Sequence, residues 1–192
     1  MIPAVILCGG QATRLYPITE SMPKALVEIN GVPFIDYQLS FLYKQGVEDI
    51  ILCVGNHGKQ IEDYLGSSFT CSYDGPTPLG TGGAIKKALP LLPNNFIVLN
   101  GDTLFKMDLK QEVEAYSHSQ RFVWMYTHLG VDCGLYLMHK YAFNDFDGVF
   151  SLWSLLNHME KKRELFRVKS DVGFVDMGTP VGIKEMEKYL RD

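Results

Sequence analysis

The chain reads as a three-layer α/β domain built on a mainly parallel mixed sheet. Three observations predict this. Short apolar runs alternate with amphipathic helical stretches along the whole length. The strongest polar motifs stand just after two of those runs, where parallel sheets present their ligands. The 192 residues suffice for one sizeable core, and no linker, repeat or low-complexity tract divides them. Residues 1–192 are therefore expected to form a single domain.

The elements follow in order. The first buried run, Ala4-Val5-Ile6-Leu7-Cys8, breaks at once into glycines, which marks a strand ending in a tight loop. Residues 25–29 are expected as a short strand closed by the Asn30-Gly31 turn. A helix is expected over 33–44: Pro33 suits a first turn, Phe34, Tyr37, Phe41 and Leu42 form a helical stripe, and Gly46 ends it. Residues 49–54 read as a buried strand, 59–65 as a short helix, and 69–73 as a strand leading into a Gly/Pro-rich loop. A helix over 82–89 stops at Pro90, and a buried strand over 95–99 ends in Asn100-Gly101-Asp102. Then come a helix over 109–118, strands over 122–127 and 134–138, a helix over 152–162, and strands over 165–169 and 174–176. The last helix, 180–190, has Thr179 as its N-cap and Pro180 at its first position.

Composition removes several functional classes. A net charge of −4 provides no broad basic surface, so nucleic acid is not an expected partner. No apolar run is long enough to cross a bilayer, and no charged leader precedes the first strand. Cys8, Cys53, Cys71 and Cys133 form no C-x-x-C pair, which suits a reducing, cytoplasmic setting rather than a zinc or disulfide framework. His57, His118, His139 and His158 lack metal-ligand spacing. Trp124 and Trp153 are expected in the core, and Lys161-Lys162-Arg163 toward water at a helix end.

Gly9-Gly10-Gln11-Ala12-Thr13-Arg14-Leu15, followed by Pro23-Lys24, describes a loop that holds a polyphosphate. Glycines let backbone N–H groups approach an anion, Thr13 adds a hydroxyl, Arg14 a fork of donors and Lys24 a point charge. The spacing matches neither the dinucleotide fingerprint nor the P-loop. If Ala12 has positive φ, its side chain adds strain of about 1 kcal/mol. Asp102 reads either as a turn aspartate or as a ligand for a hard cation. Asp176, in Val175-Asp176-Met177-Gly178-Thr179-Pro180, stands at a strand end beside a helix-start device. Gly80-Thr81-Gly82-Gly83-Ala84 reads as a glycine-rich helix entry with Thr81 as its cap.

Together these segments resemble the sugar-phosphate nucleotidylyltransferases, a Rossmann-like nucleotidyltransferase family, from about residue 2 to residue 189, with a weak stretch over 108–169. The string Leu79-Gly80-Thr81-Gly82-Gly83-Ala84-Ile85 is most similar to heptose-1-phosphate guanylyltransferases. The resemblance implies Arg14, Lys24 and Asp102 as catalytic residues, and Asp102 with Asp176 as ligands of Mg²⁺. It implies that Gly9, Gly10, Gln11, Thr13, Arg14, Lys24, Pro78, Gly80, Thr81 and Gly82 bind the nucleotide. Asp132 and Gly134 fall in the segment that resembles the family's sugar site. The implied partners are an NTP and a phosphorylated acceptor, a sugar 1-phosphate foremost, with oligomerisation left open. The chain departs from the family at Ala12, at Gly75-Pro76-Thr77-Pro78 where many relatives carry Gln or Glu, and between Arg121 and His139, where a Glu-Lys pair is missing. Those departures keep two other readings open: a cytidylyl- or uridylyltransferase acting on a non-sugar acceptor, and a silent nucleotide-binding module. The expected chemistry is in-line displacement at the α-phosphorus, with no covalent enzyme intermediate.

Overall fold

The computed structural model describes residues 1–191. Strand β1 (Ala4–Leu7) leads through the glycine loop into a single 3-10 turn, Thr13–Leu15. Two more such turns follow, Ile18–Glu20 and Lys24–Leu26, and the latter precedes the small hairpin of β2 (Glu28–Ile29) and β3 (Val32–Pro33). Asn30 and Gly31 close that hairpin, both at positive φ, as an Asn-Gly hairpin turn requires. Helix α1 (Phe34–Lys44), β4 (Ile50–Val54), α2 (Gly58–Leu65), β5 (Thr70–Tyr73), α3 (Gly80–Ala88) and β6 (Asn95–Asn100) follow. After them come β7 (Thr103–Phe105), α4 (Leu109–Ser117), β8 (Val123–His128), β9 (Val131–His139), α5 (Leu152–Lys161), β10 (Leu165–Lys169), β11 (Phe174–Asp176) and α6 (Pro180–Tyr189).

The main sheet has seven strands in the order β10-β8-β9-β6-β1-β4-β5. Strand β1 runs parallel to both β4 and β6, β5 parallel to β4, and β10 parallel to β8. Only β9 runs against its neighbours, β6 and β8. The sheet is thus mainly parallel and mixed, as the alternation predicts. The chain leaves β1 toward β4 and β5, then returns to place β6 on the other side of β1. That reversal is the switch point at which open α/β sheets bind ligands.

Side-chain alternation along the strands builds the three layers. Ala4, Ile6, Leu52, Ile97 and Leu99 pack on one face, with Ile35, Leu39 and Leu42 of α1 and Leu109 and Tyr116 of α4. Val5, Ile51, Phe96 and Val98 pack on the other, with Ile85 and Ala88 of α3 and Leu155, Leu156 and Met159 of α5. A third cluster of Val27, Ile29, Phe34, Leu104, Met177 and Met186 ties the β2–β3 hairpin, β7 and α6 together. It also stabilises the two-stranded ribbon of β7 and β11, which is too short to persist alone.

Several sequence expectations shift. Residues 25–29 hold only a two-residue strand, because Pro23 starts a 3-10 turn ahead of it. Pro33 sits in extended backbone before α1, not in its first turn. Helix α3 starts at Gly80, earlier than the 82–89 expectation. Strand β7 was not anticipated, since three residues after a turn carry no periodic signal. Trp153 is 57% exposed on α5 and not in the core, while Trp124 packs edge-on against Tyr116.

Ala12 adopts φ 50°, ψ 38°, the left-handed region, and its carbonyl accepts from Thr19 Oγ1 at 2.8 Å. Left-handed backbone strains an L residue by about 1–2 kcal/mol, and glycine's larger unfolded-state entropy offsets about 0.4–1 of that. Ala12→Gly should therefore raise stability by about 0.5–1 kcal/mol in denaturant titrations.

Candidate active site

A cavity of about 340 Å³ opens at the carboxyl end of the sheet. Three loops wall it, each following a strand. Gly9, Gly10 and Gln11 come after β1, Gly101 and Asp102 after Asn100 at the end of β6, and Asp74 after β5. Pro78, Gly80 and Thr81 complete the third wall, and Lys24 with Ala25 enters from the 3-10 turn. Gly101 allows the β6 turn to lie on β1: its N–H donates to the Leu7 carbonyl at 3.1 Å, and a side chain there would collide with that oxygen.

Two of the four expected charged residues, Lys24 and Asp102, line this opening, and the other two, Arg14 and Asp176, flank Gly178 beyond it. Lys24 Nζ donates to Asp102 Oδ2 at 2.7 Å, with both side chains half-buried. Asp102 Oδ1 accepts from Thr103 Oγ1 at 3.0 Å. Asp176 arrives through antiparallel pairing of β11 with β7, which sets it opposite Thr103. The Met177 N–H donates to the Asp102 carbonyl at 2.9 Å, locking the two aspartate-bearing segments together. Asp176 Oδ1 accepts from the Gly178 N–H at 2.5 Å. Arg14 completes the set. A methyl group on Gly178 would lie 2.7 Å from Asp176 Oδ1 and 3.3 Å from an Arg14 guanidinium nitrogen, so the two side chains border the same glycine.

Not every expected residue reaches the cavity. Thr13 and Arg14 lie beyond its wall, in the 3-10 turn, where the Arg14 guanidinium borders Gly178 beside Asp176. Gly82 is packed behind the wall: its N–H and that of Gly83 both donate to the Phe150 carbonyl at 3.1 Å. Thr81 does not cap α3; its Oγ1 accepts from the Leu152 N–H at 2.8 Å. The glycines of this segment thus make room for residues 148–151. Asp132 is occupied internally, accepting from the Gly134 N–H at 2.8 Å and Tyr136 Oη at 2.6 Å. Gly134, at φ 72°, lets the Asn100 side chain lie flat against it, one step behind the cavity.

Sequence reasoning overlooked Asp74. Burial raises its carboxyl above the usual range, opposed by the Leu79 N–H and by Lys87. Its Oδ2 accepts from the Leu79 N–H at 3.3 Å and borders Gly9 and Gly55, while Lys87 Nζ reaches only its backbone carbonyl. No cation pairs with this carboxylate among the described residues. Its position was a usable signal: Asp74 follows β5 directly, as Asp102 lies in the turn after β6. Cys8 and Cys53 also line the cavity, but burial pushes both thiols up, Cys53 to about 12. Neither is a nucleophile near neutral pH.

The Nucleotidyl transferase family matches residues 3–132. A D-glycero-alpha-D-manno-heptose 1-phosphate guanylyltransferase of Campylobacter jejuni is 33% identical, over 92% of this chain and 95% of the relative. An enzyme of the same name from Aneurinibacillus thermoaerophilus is 40% identical, over 58% of this chain and 50% of the relative. The crystal structure of HddC from Yersinia pseudotuberculosis complexed with GMP-PN superposes with a TM-score of 0.83 at 26% identity, covering 99% of this chain and all of the other.

Gly82 provides a test of the bracing by residues 148–151. A methyl group there would collide with the Phe150 ring and lie 3.0 Å from the Ser151 backbone. Gly82→Ala should cost about 1–3 kcal/mol of stability in thermal or denaturant unfolding, because an overpacked core must shift.

Proposed function

The chain belongs to the sugar-phosphate nucleotidylyltransferases of the nucleotidyl transferase family, and from that premise we propose a finer assignment. It transfers GMP from GTP to a heptose or hexose 1-phosphate, giving a GDP-sugar and pyrophosphate, with Mg²⁺ as cofactor. The observation that carries this reading is the backbone tie between two pairs: the Met177 N–H bonds the Asp102 carbonyl, which sets the Lys24–Asp102 ion pair next to the segment where Asp176 and Arg14 flank Gly178. Residues 1–192 act as one nucleotidylyltransferase domain in the cytoplasm; among the described residues no helix is long and apolar enough to cross a membrane.

The residues suit a divalent cation. Asp102, in the turn before β7, and Asp176, at the end of β11, are hard oxygen donors on backbone-bonded segments, and each carboxylate keeps lone pairs beyond the bonds it already accepts. A cation held there would offset phosphate charge and help pyrophosphate depart. The need is electrostatic: two phosphate charges about 4 Å apart repel by about 4 kcal/mol at an intermediate dielectric. Lys24 spends one of its three N–H donors on Asp102, which leaves two for phosphate oxygens. Arg14, beside Asp176, holds the outer phosphates, and the N–H groups of the Gly9–Gln11 loop line the path between them. The attacking phosphate oxygen is already an anion, so positioning replaces a general base.

The base preference rests on Asp74. A carboxylate without a cation partner in a mainly apolar cavity calls for a donor-rich ligand edge. Guanine presents a ring N–H beside an amino group, two adjacent donors that a carboxylate accepts together. The relatives named for guanylyl transfer support the same base.

Pyrophosphate release should be measured for each NTP with a panel of sugar 1-phosphates, and GTP should give the fastest turnover. Asp102→Asn should lower kcat by at least about 10²-fold without unfolding the protein; unchanged turnover would reject its role. Asp74→Asn should reduce the preference for GTP over UTP by about tenfold or more, since it places an amide N–H₂ against the donors of guanine.

A further inference from the structure

Helix α1 carries one residue that its packing does not explain. Gln38 is fully buried, at 0% exposure, on the α1 face otherwise occupied by Ile35, Leu39 and Leu42. An aliphatic side chain would satisfy that core with no polar group to bury. Its carboxamide Nε2 instead donates to two backbone carbonyls, those of Asn100 at 2.8 Å and Thr103 at 2.9 Å. Both acceptors are carbonyls, so the amide orientation is set by them. The outcome leaves Gln38 Oε1 buried without a partner, a cost set against the two carbonyls that the amide satisfies.

The two carbonyls flank Asp102. Strand β6 ends at Asn100 and β7 begins at Thr103, so the intervening Gly101-Asp102 turn is clamped at both ends by one side chain. From Thr103 the connection continues to the carboxylate itself, through Thr103 Oγ1 to Asp102 Oδ1 at 3.0 Å. Thr103 is buried as well. From Asn100 it reaches the cavity wall, where the Asn100 side chain lies against Gly134. A single amide thus ties α1 to the turn that presents the acid.

We propose that Gln38 is a positioning residue: by holding the carbonyls on either side of Asp102, it fixes the direction in which that carboxylate meets a divalent cation. The inference rests on the reading of Asp102 as a metal ligand. Groups that orient a ligand from behind change metal affinity by about 10–100-fold when removed.

The test compares GTP affinity, by calorimetry, with Mg²⁺ and with excess EDTA, in the full chain and its variants. Gln38→Met keeps the volume and removes both donors. It should leave GTP affinity in EDTA within about twofold, yet lose about tenfold or more of the tightening that Mg²⁺ provides. Gln38→Glu keeps the shape with one donor when protonated; it should lose less, and its loss should grow as the pH rises and the carboxyl ionises against two carbonyls. If Gln38→Met fails to fold, Gln38→Glu decides the matter through that pH dependence. Lowered thermal stability with Mg²⁺ tightening intact in both variants would overturn the proposal and leave Gln38 a structural tie. Asp102→Asn in the same titration separates the two layers. If it abolishes the tightening while Gln38→Met does not, the positioning role alone fails; if it leaves the tightening unchanged, the metal reading falls and the inference with it.

Discussion

The antiparallel ribbon of Thr103–Phe105 with Phe174–Asp176 is the contact on which the site depends. Without it, Asp102 and Asp176 belong to distant parts of the chain, one after the sixth strand and one near the last helix. With it, Asp176 faces Thr103, the Met177 N–H reaches the Asp102 carbonyl, and Gly178 brings Arg14 into the same group. The ribbon is only three residue pairs long, so its persistence comes from the apolar cluster around Leu104, Met177 and Met186 beneath it. Burial in that small third cluster therefore supports the proposed chemistry directly, although none of its members touches the cavity.

The second constraint is the sheet. Parallel strands β1, β4, β5 and β6 end on the same side, so whatever follows them shares one rim. Gly9, Asp74 and Asp102 take that place in turn. The Asp102 carboxylate accepts from Lys24 and from Thr103, and Gln38 bonds the carbonyls on either side of it. A carboxylate fixed from several directions loses little freedom when it binds, which is how a small domain preorganises charge.

Much of this was legible in the residues, for physical reasons that also mark the limits. Buried strands such as Ile50–Val54 and Asn95–Asn100 announce themselves by continuous apolar runs, and the helices by their stripes. Thr179 caps the last helix as its position before Pro180 suggests, accepting from the Gly182 N–H. What stayed hidden depends on long-range pairing. Strand β7 is three residues long and exists because β11 returns to it. The glycines at 80, 82 and 83 look like a ligand loop in one dimension, yet Gly82 and Gly83 give their N–H groups to Phe150, about seventy residues onward. Asp74 stands between β5 and Gly75-Pro76-Thr77-Pro78, so in one dimension it reads as an ordinary turn residue. Gln38 is hidden because a polar residue in a helical stripe looks like an ordinary solvated position until its burial is seen.

The central claim is that Asp102 and Asp176 share one divalent cation beside the nucleotide. Its most direct test is a crystal of the protein grown with Mn²⁺ and a non-hydrolysable GTP analogue, with an anomalous difference map recorded at the manganese edge. The account predicts one strong peak bridging the two carboxylates and the analogue's phosphates, with the base against Asp74. A peak ligated by only one of the two aspartates, or placed away from both, would contradict it.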